Sequence, residues 1–261
     1  MKNNLLNTEN LFDTLIPKRL NIDEILENYK FNDKDVFIGF KKKQKIFIKS
    51  SIINARSKNE LNLLKKINKF NNVNIIELID SLIVDDYVYL VLSYYSMNLY
   101  EYINIECIPL KFDLIINITN QLKNVICFLH SNNICHGDLK LENILLDNKD
   151  NNQIKLIDFE YTREYAKMDA TISDRNGTIY YNSPEMISRY EYDPFKAELW
   201  AVGICIYTLS EYKYPYNYNK YNKKYNLKLL ESEISFVSTD QKLIPLLNAL
   251  MNRNPDKRTF I

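Results

Sequence analysis

Glycine is scarce in this chain. Only four occur in 261 residues, at positions 39, 137, 177 and 203. No glycine-rich loop is therefore available to bring bare backbone amides up to a phosphate chain. Cysteine is equally thin. Cys107, Cys127, Cys135 and Cys205 form no C-x-x-C pair, and only two histidines are present to join them. That spacing argues against a zinc site. Cys127, Cys135 and Cys205 each sit beside apolar residues, so buried, reduced thiols are expected. No apolar run approaches the ~18 residues of a membrane span, and Met1-Lys2-Asn3-Asn4 opens no signal peptide. The net charge of +1 makes no electrostatic case for nucleic acid or a membrane surface as partner. An intracellular, reducing compartment, cytoplasm or nucleus, is the expectation.

What is present has a clear order. The length suits one large domain or two lobes. Residues 1–27 carry short apolar clusters broken by Pro17 and read as a lead-in that docks on the domain. Val36-Phe37-Ile38 and Ile46-Phe47-Ile48 flank a polar turn at 41–45, a hairpin pattern. Residues 59–70 place Leu61, Leu64 and Ile67 at helical spacing. Strands are expected at 75–83 and 87–92. Beyond Tyr95 the chain turns helical, and residues 112–129 repeat apolar side chains with a period that packs one face. The polar stretch 147–153 reads as a turn between short strands. The class is α+β, a small β-rich part followed by a larger helical one.

Two runs carry the chemistry. His136-Gly137-Asp138-Leu139-Lys140-Leu141-Glu142-Asn143 is followed by Lys155-Leu156-Ile157-Asp158-Phe159-Glu160. They hold two carboxylates, an ammonium and a carboxamide. The pair resembles the catalytic core of eukaryotic protein kinases, where H-R-D-L-K-x-x-N precedes D-F-G. Lys140 and Thr178 favour the serine/threonine type, and the run is similar to calmodulin-dependent-kinase-like enzymes. The resemblance extends from about Tyr29 to Arg258 and implies a bilobal fold. Its N-lobe would be residues 28–92, its hinge 93–97 and its C-lobe 98–261. It implies ATP and Mg²⁺ as cofactors and a protein substrate presenting a serine or threonine. It also leaves room for a regulatory protein partner.

The resemblance implies roles residue by residue. Asp138 would accept the substrate hydroxyl's proton, Lys140 would steady the γ-phosphate, and Asn143 and Asp158 would hold Mg²⁺ through hard oxygens. Lys49, closing Lys45-Ile46-Phe47-Ile48-Lys49, resembles the V-A-I-K lysine that holds the α- and β-phosphates, with Glu60 as its ion-pair partner. Val36, Phe47, Leu92, Tyr95 and Leu145 would surround the nucleotide. Leu92 would stand as gatekeeper, the backbone of Ser93-Tyr94-Tyr95 would meet the adenine edge, and Leu145 would form the floor. Downstream, Ser183-Pro184-Glu185 matches the family's A-P-E and should pair Glu185 with Arg258. Glu198 in Glu198-Leu199-Trp200-Ala201-Val202-Gly203 stands where the family has aspartate, and should still accept backbone N–H bonds from the catalytic loop.

Four departures run against this. Phe31-Asn32-Asp33-Lys34-Asp35-Val36 replaces the G-x-G-x-x-G loop, and Asp33 and Asp35 would bring negative charge near a triphosphate unless they point to solvent. Phe47 replaces a small alanine; alternation puts it on the Lys49 face, where its ring would fill the adenine slot or tilt into an aromatic roof. Glu160 replaces the glycine of D-F-G. Gly137 replaces the arginine of H-R-D, which pairs with an activation-loop phosphate in the family, so Thr171 and Ser173 have one partner fewer. Two readings follow. One is a Mg·ATP-dependent serine/threonine kinase. The other is a pseudokinase that binds partners with weak or no nucleotide binding. A small-molecule kinase is disfavoured by residues 177–185, which resemble a platform for protein substrates.

Overall fold

The computed structural model describes residues 16–31, 34–106, 110–147, 152–168, 170–173, 177–188, 191–217 and 232–261. The chain forms two compact units, Met1–Tyr95 and Ser96–Ile261.

The first unit is an antiparallel sheet in the order β1-β2-β3-β5-β4. Its strands are β1 (Glu24–Phe31), β2 (Lys34–Lys41), β3 (Gln44–Ile52), β4 (Leu78–Val84) and β5 (Tyr87–Ser93). Lys42 and Lys43 alone join β2 to β3, both with positive φ (50° and 65°). Two left-handed residues give a tight hairpin whose twist matches its strands. β1 begins at Glu24, inside the stretch read as lead-in, because Ile25 packs against the core. That core, on one sheet face, is Ile16, Leu20, Phe37, Ile46, Ile48, Tyr89 and Val91. Lys41 fastens Ile16–Leu20 down: its buried Nζ donates to the carbonyl of Leu20 and to Asp80 Oδ2. The rest of the lead-in, residues 1–15, lies outside the described residues.

Helix α1 (Ala55–Ile67) starts four residues before the apolar spacing signals it. Asn54 caps it: Asn54 Oδ1 accepts from the amides of Arg56 (2.8 Å) and Ser57 (3.0 Å), while Ser57 Oγ accepts from Asn54 N at 2.9 Å. This reciprocal box satisfies donors that the first turn would otherwise leave bare. The helix buries Glu60, Leu61, Leu64 and Ile67 on one stripe.

In the second unit, α2 (Leu99–Glu106) is followed by α3 (Phe112–Ser131), whose buried stripe runs Ile115, Ile118, Leu122, Val125, Ile126 and Leu129. Cys127 falls off that stripe and is exposed, contrary to expectation, whereas Cys135 and Cys205 are buried. Two short ladders follow, β6 (Ile134–Cys135) with β9 (Arg163–Glu164), and β7 (Ile144–Asp147) with β8 (Gln153–Leu156). After α4 (Pro184–Ser188) comes α5 (Pro194–Glu211), in which every residue but Lys196 is buried. A helix apolar all round belongs in an interior. Asp193 caps α5, accepting from Phe195 N and Lys196 N, and α6 (Ile244–Leu250) packs against it. No helix among the described residues is long and apolar enough to cross a membrane.

Arg258 closes the unit. Its guanidinium, fully buried, forks onto Glu185 at 2.5 and 2.7 Å and lies 5.1 Å from the Trp200 ring centre. Arg258→Met should lower unfolding free energy by about 3–5 kcal/mol, because Glu185 is left buried and charged without a partner. Adding Glu185→Leu should recover most of that loss in a denaturant titration. A double variant no better than the single one would refute the pairing argument.

Candidate functional site

In the first unit the polar feature is Lys49. Alternation along β3 turns Ile46 and Ile48 into the core and Phe47 and Lys49 to the opposite face. There Lys49 Nζ meets both oxygens of Glu60, at 2.7 and 2.9 Å, with both residues buried. The capping of α1 sets the rotation that aims Glu60 at the sheet. Val36 stands directly across from Lys49, and Leu92 across from Phe47. Both aliphatic residues are buried, while Phe47 is partly exposed. Tyr95 lies two residues past the end of β5. Asn32 and Asp33, in the stretch that replaces the glycine loop, lie outside the described residues.

In the second unit the loop between β6 and β7 gathers Asp138, Lys140 and Asn143. Asp138 is buried, and its carboxylate is held from four directions. Lys140 Nζ (2.6 Å) and Asn143 Nδ2 (3.3 Å) reach Oδ2; the amide (3.2 Å) and hydroxyl (3.4 Å) of Thr178 reach Oδ1. Asn143 Nδ2 also donates to the Asp138 carbonyl at 2.8 Å. The carboxamide nitrogen of Asn143 is thus the atom that faces Asp138, and its oxygen, a hard donor atom, makes none of these bonds. Lys140 donates as well to Thr178 Oγ1 at 3.2 Å.

Asp158 is brought alongside by its neighbour. Ile157 N donates to the Asn143 carbonyl (3.0 Å), and the Ile157 carbonyl accepts from His136 Nε2 (2.8 Å). The Asp138 amide points at His136 Nδ1 (3.4 Å), so the ring carries its proton on Nε2. Phe159 packs edge-on against it, 5.1 Å between centres. Asp158 adopts the left-handed conformation, φ 62° and ψ 72°, which aspartate tolerates better than most residues. Phe159–Tyr161 then form one 3-10 turn, so Glu160 needs no glycine-like backbone. Leu145, on β7, bridges to Asn98 within the same unit.

Glu198 anchors the loop from below. Its Oε1 accepts from Gly137 N at 3.0 Å, and Oε2 meets His130 Nε2 at 2.8 Å. Burial pushes this carboxyl up, yet the bond and charge of His130 and the Gly137 amide together hold it below the ordinary glutamate range. The role of His130 escaped the sequence reading. A histidine closing an apolar helical stripe is the signal that would have found it. On the other flank Tyr181, its hydroxyl pushed well up by burial, accepts from Leu141 N and reaches Glu142 Oε2, each at 3.2 Å.

Gly137 has a steric cause. Its φ is +82°, and a Cβ built there would lie 2.5 Å from the carbonyl oxygen of Tyr161. The 3-10 turn after Asp158 thus runs directly against the loop, and Thr162 Oγ1 seals the approach by donating to the His136 carbonyl at 3.0 Å. Gly137→Arg, which restores the family residue, should therefore destabilise the chain. The left-handed backbone alone costs about 1–2 kcal/mol, and the contact adds to it. Calorimetry showing an unchanged or higher melting temperature would contradict this.

Comparison with known proteins gives the family. The model of the family described as Protein kinase domain matches residues 30–261. Serine/threonine-protein kinase ULK3 of Xenopus laevis is 31% identical over 215 residues, 80% of this chain and 45% of that protein. CBL-interacting serine/threonine-protein kinase 18 of Arabidopsis thaliana is 29% identical over 241 residues, 91% of this chain and 44% of that protein. Serine/threonine-protein kinase ppk25 of Schizosaccharomyces pombe is 32% identical over 154 residues, 56% of this chain and 34% of that protein. The chain spans less than half the length of each of these relatives. Matched over the stretch that holds both the Lys49–Glu60 pair and the Asp138 loop, the chain belongs to the protein kinase domain family, among the eukaryotic serine/threonine kinases.

Proposed function

We propose that the chain is an active kinase that transfers the γ-phosphate of ATP to a serine or threonine hydroxyl of a protein, with Mg²⁺ as cofactor. The observation that carries this is the Asp138 carboxylate, buried yet aimed by Lys140, Asn143 and Thr178. An ionised carboxylate has about four lone-pair positions, and four donors already face it. An incoming hydroxyl would replace the weakest, Thr178 Oγ1 at 3.4 Å, and hand its proton to Asp138 as the new P–O bond forms and the bond from the γ-phosphorus to the β–γ bridging oxygen breaks, releasing ADP. Lys140, with Nζ between Asp138 and Thr178, needs only a side-chain rotation to meet phosphate oxygens. Lys49, oriented by Glu60, would hold the α- and β-phosphates. Asn143 Oδ1 and the Asp158 carboxylate offer the hard oxygens that Mg²⁺ takes. When bound, that ion offsets phosphate charge and fixes the leaving group.

The alternative, a pseudokinase that serves as a binding module, draws on Phe47 sharing the Lys49 face and on the missing glycines. Nucleotide binding separates the two readings. Mg·ATP at 100 times its dissociation constant stabilises a binding protein by about 2.7 kcal/mol, a rise of several degrees in melting temperature for a chain of this size. We expect that rise, and we expect Asp138→Asn to retain it while losing roughly 100- to 10,000-fold in transfer rate. No shift at millimolar nucleotide would favour the pseudokinase.

Regulation should be simple. With glycine at 137, exposed Thr171 and Ser173 have no catalytic-loop arginine to meet a phosphate. Thr171→Ala with Ser173→Ala should leave kcat/KM within about threefold of wild type. Complete loss of activity would show that a phosphate in this segment is required after all.

A further inference from the structure

Behind the catalytic loop lies a cluster that phosphotransfer does not use. His130 from the end of α3, Cys135 from β6 and Glu198 from α5 are all buried, and their ligand atoms lie within 4.8 Å of one another. We propose that these three side chains form a binding site for one zinc ion.

The donor set suits that metal: imidazole nitrogen, thiolate sulfur and one carboxylate oxygen are three of its usual partners, and catalytic-type sites complete a tetrahedron with water. Zn–S and Zn–N bonds of about 2.3 and 2.0 Å place neighbouring donors of a tetrahedron roughly 3.3–3.6 Å apart. His130 Nε2 and Glu198 Oε2 are 2.8 Å apart, so the ion would part them slightly and draw Cys135 in. Side-chain rotation supplies such shifts. Charge closes as well. A divalent ion with one thiolate and one carboxylate is neutral, which is what a buried site requires. On binding, the S–H bond of Cys135 and the N–H bond at His130 Nε2 break, both protons leave to solvent, and Zn–S and Zn–N bonds form, with no redox change.

A fourth ligand has a place. A cavity of about 60 Å³ touches both Cys135 and Glu198, and that volume holds water. Its wall includes partly exposed Arg163, Ile172 and Asn182, which gives an entry route from solvent. The ring of His130 is steadied by Phe195, edge-on at 5.1 Å. Glu198 would bind through Oε2 and keep Oε1 on Gly137 N, leaving the tie to the catalytic loop intact. Spacing along the chain hides the site, because its ligands come from three separate elements.

Metal titration tests this without any activity assay. The full chain, stripped with a chelator and dialysed, is titrated with Zn²⁺ and separately with Co²⁺. Expected are one equivalent of zinc per chain and, with cobalt, thiolate charge-transfer absorption in the near ultraviolet. Cys135→Ser should remove the band and weaken zinc binding by more than about 100-fold. The Cys107→Ser/Cys127→Ser double variant should keep both. A stripped wild-type chain that takes up no zinc and shows no cobalt band overturns the proposal, as does a band that survives Cys135→Ser. Should Cys135→Ser fail to fold, the wild-type and double-variant spectra decide: a band in both supports the site, and a band lost with Cys107 and Cys127 overturns it.

Discussion

A carboxylate shut away from water, that of Glu198, organises the second unit. An ionised group in such a place is costly unless every lone pair finds a donor. Here the donors are not arbitrary: one is the ring of His130 at the end of α3, the other the amide of Gly137, adjacent to Asp138. The need to satisfy one buried charge thus fixes three things at once, namely the depth of α5, the end of α3 and the height of the catalytic loop above them. Glutamate does what aspartate does in the resembling family, with one more methylene. The fully buried helix that carries it loses little, since its backbone is already immobile and its neighbours confine the longer side chain.

The loop so anchored meets a second constraint from the opposite side. The 3-10 turn that follows Asp158 presses the Tyr161 carbonyl against Gly137, closer than any Cβ allows. Glycine at 137 and glutamate at 160 are therefore two ends of one local rearrangement. The turn needs no flexible residue at 160, and the loop can carry no side chain at 137. The loop is held on this side by backbone apposition, by the short ladder of β6 and β9, and by Thr162. Short-range packing of this kind is insensitive to salt.

Much of this was legible in the chain, and what was not has physical reasons. Periodicity located α3, β3 and β5, because burial of one face dictates spacing. It missed the first turn of α1, which depends on the side-chain oxygens of Asn54 and Ser57 rather than on apolar residues. It assigned Cys127 to the interior from apolar neighbours in sequence, whereas on a helix the relevant neighbours are three and four positions away. The contacts of Asp138, Lys140 and Asn143 follow from proximity in one loop, whose residues the family resemblance had singled out for other roles. Pairings such as Glu198 with His130 join residues 68 positions apart, so a local pattern can mark the buried histidine but not its partner. The steric reason for Gly137 was equally hidden, because it resides in a carbonyl 24 positions away that only the folded turn brings near.

Energetics bear on whether the site is a relic. Lys49 with Glu60, and Asp138 with Lys140, are buried or nearly buried ion pairs. Removing such charges from water costs several kcal/mol per ion, and well-packed apolar replacements are often neutral or stabilising by 1–4 kcal/mol. A chain that needed only its fold would be at least as stable with methionine and leucine at these positions. Stability therefore does not account for the arrangement; under the proposed function, a lysine held ready by a carboxylate and an aspartate aimed by four donors are what phosphoryl transfer would demand. The aromatic ring of Phe47 does not weigh equally on the other side. A single partly exposed side chain at a strand position can change rotamer at a cost of about 1 kcal/mol, far below what a set of buried, mutually oriented charges costs to keep without use.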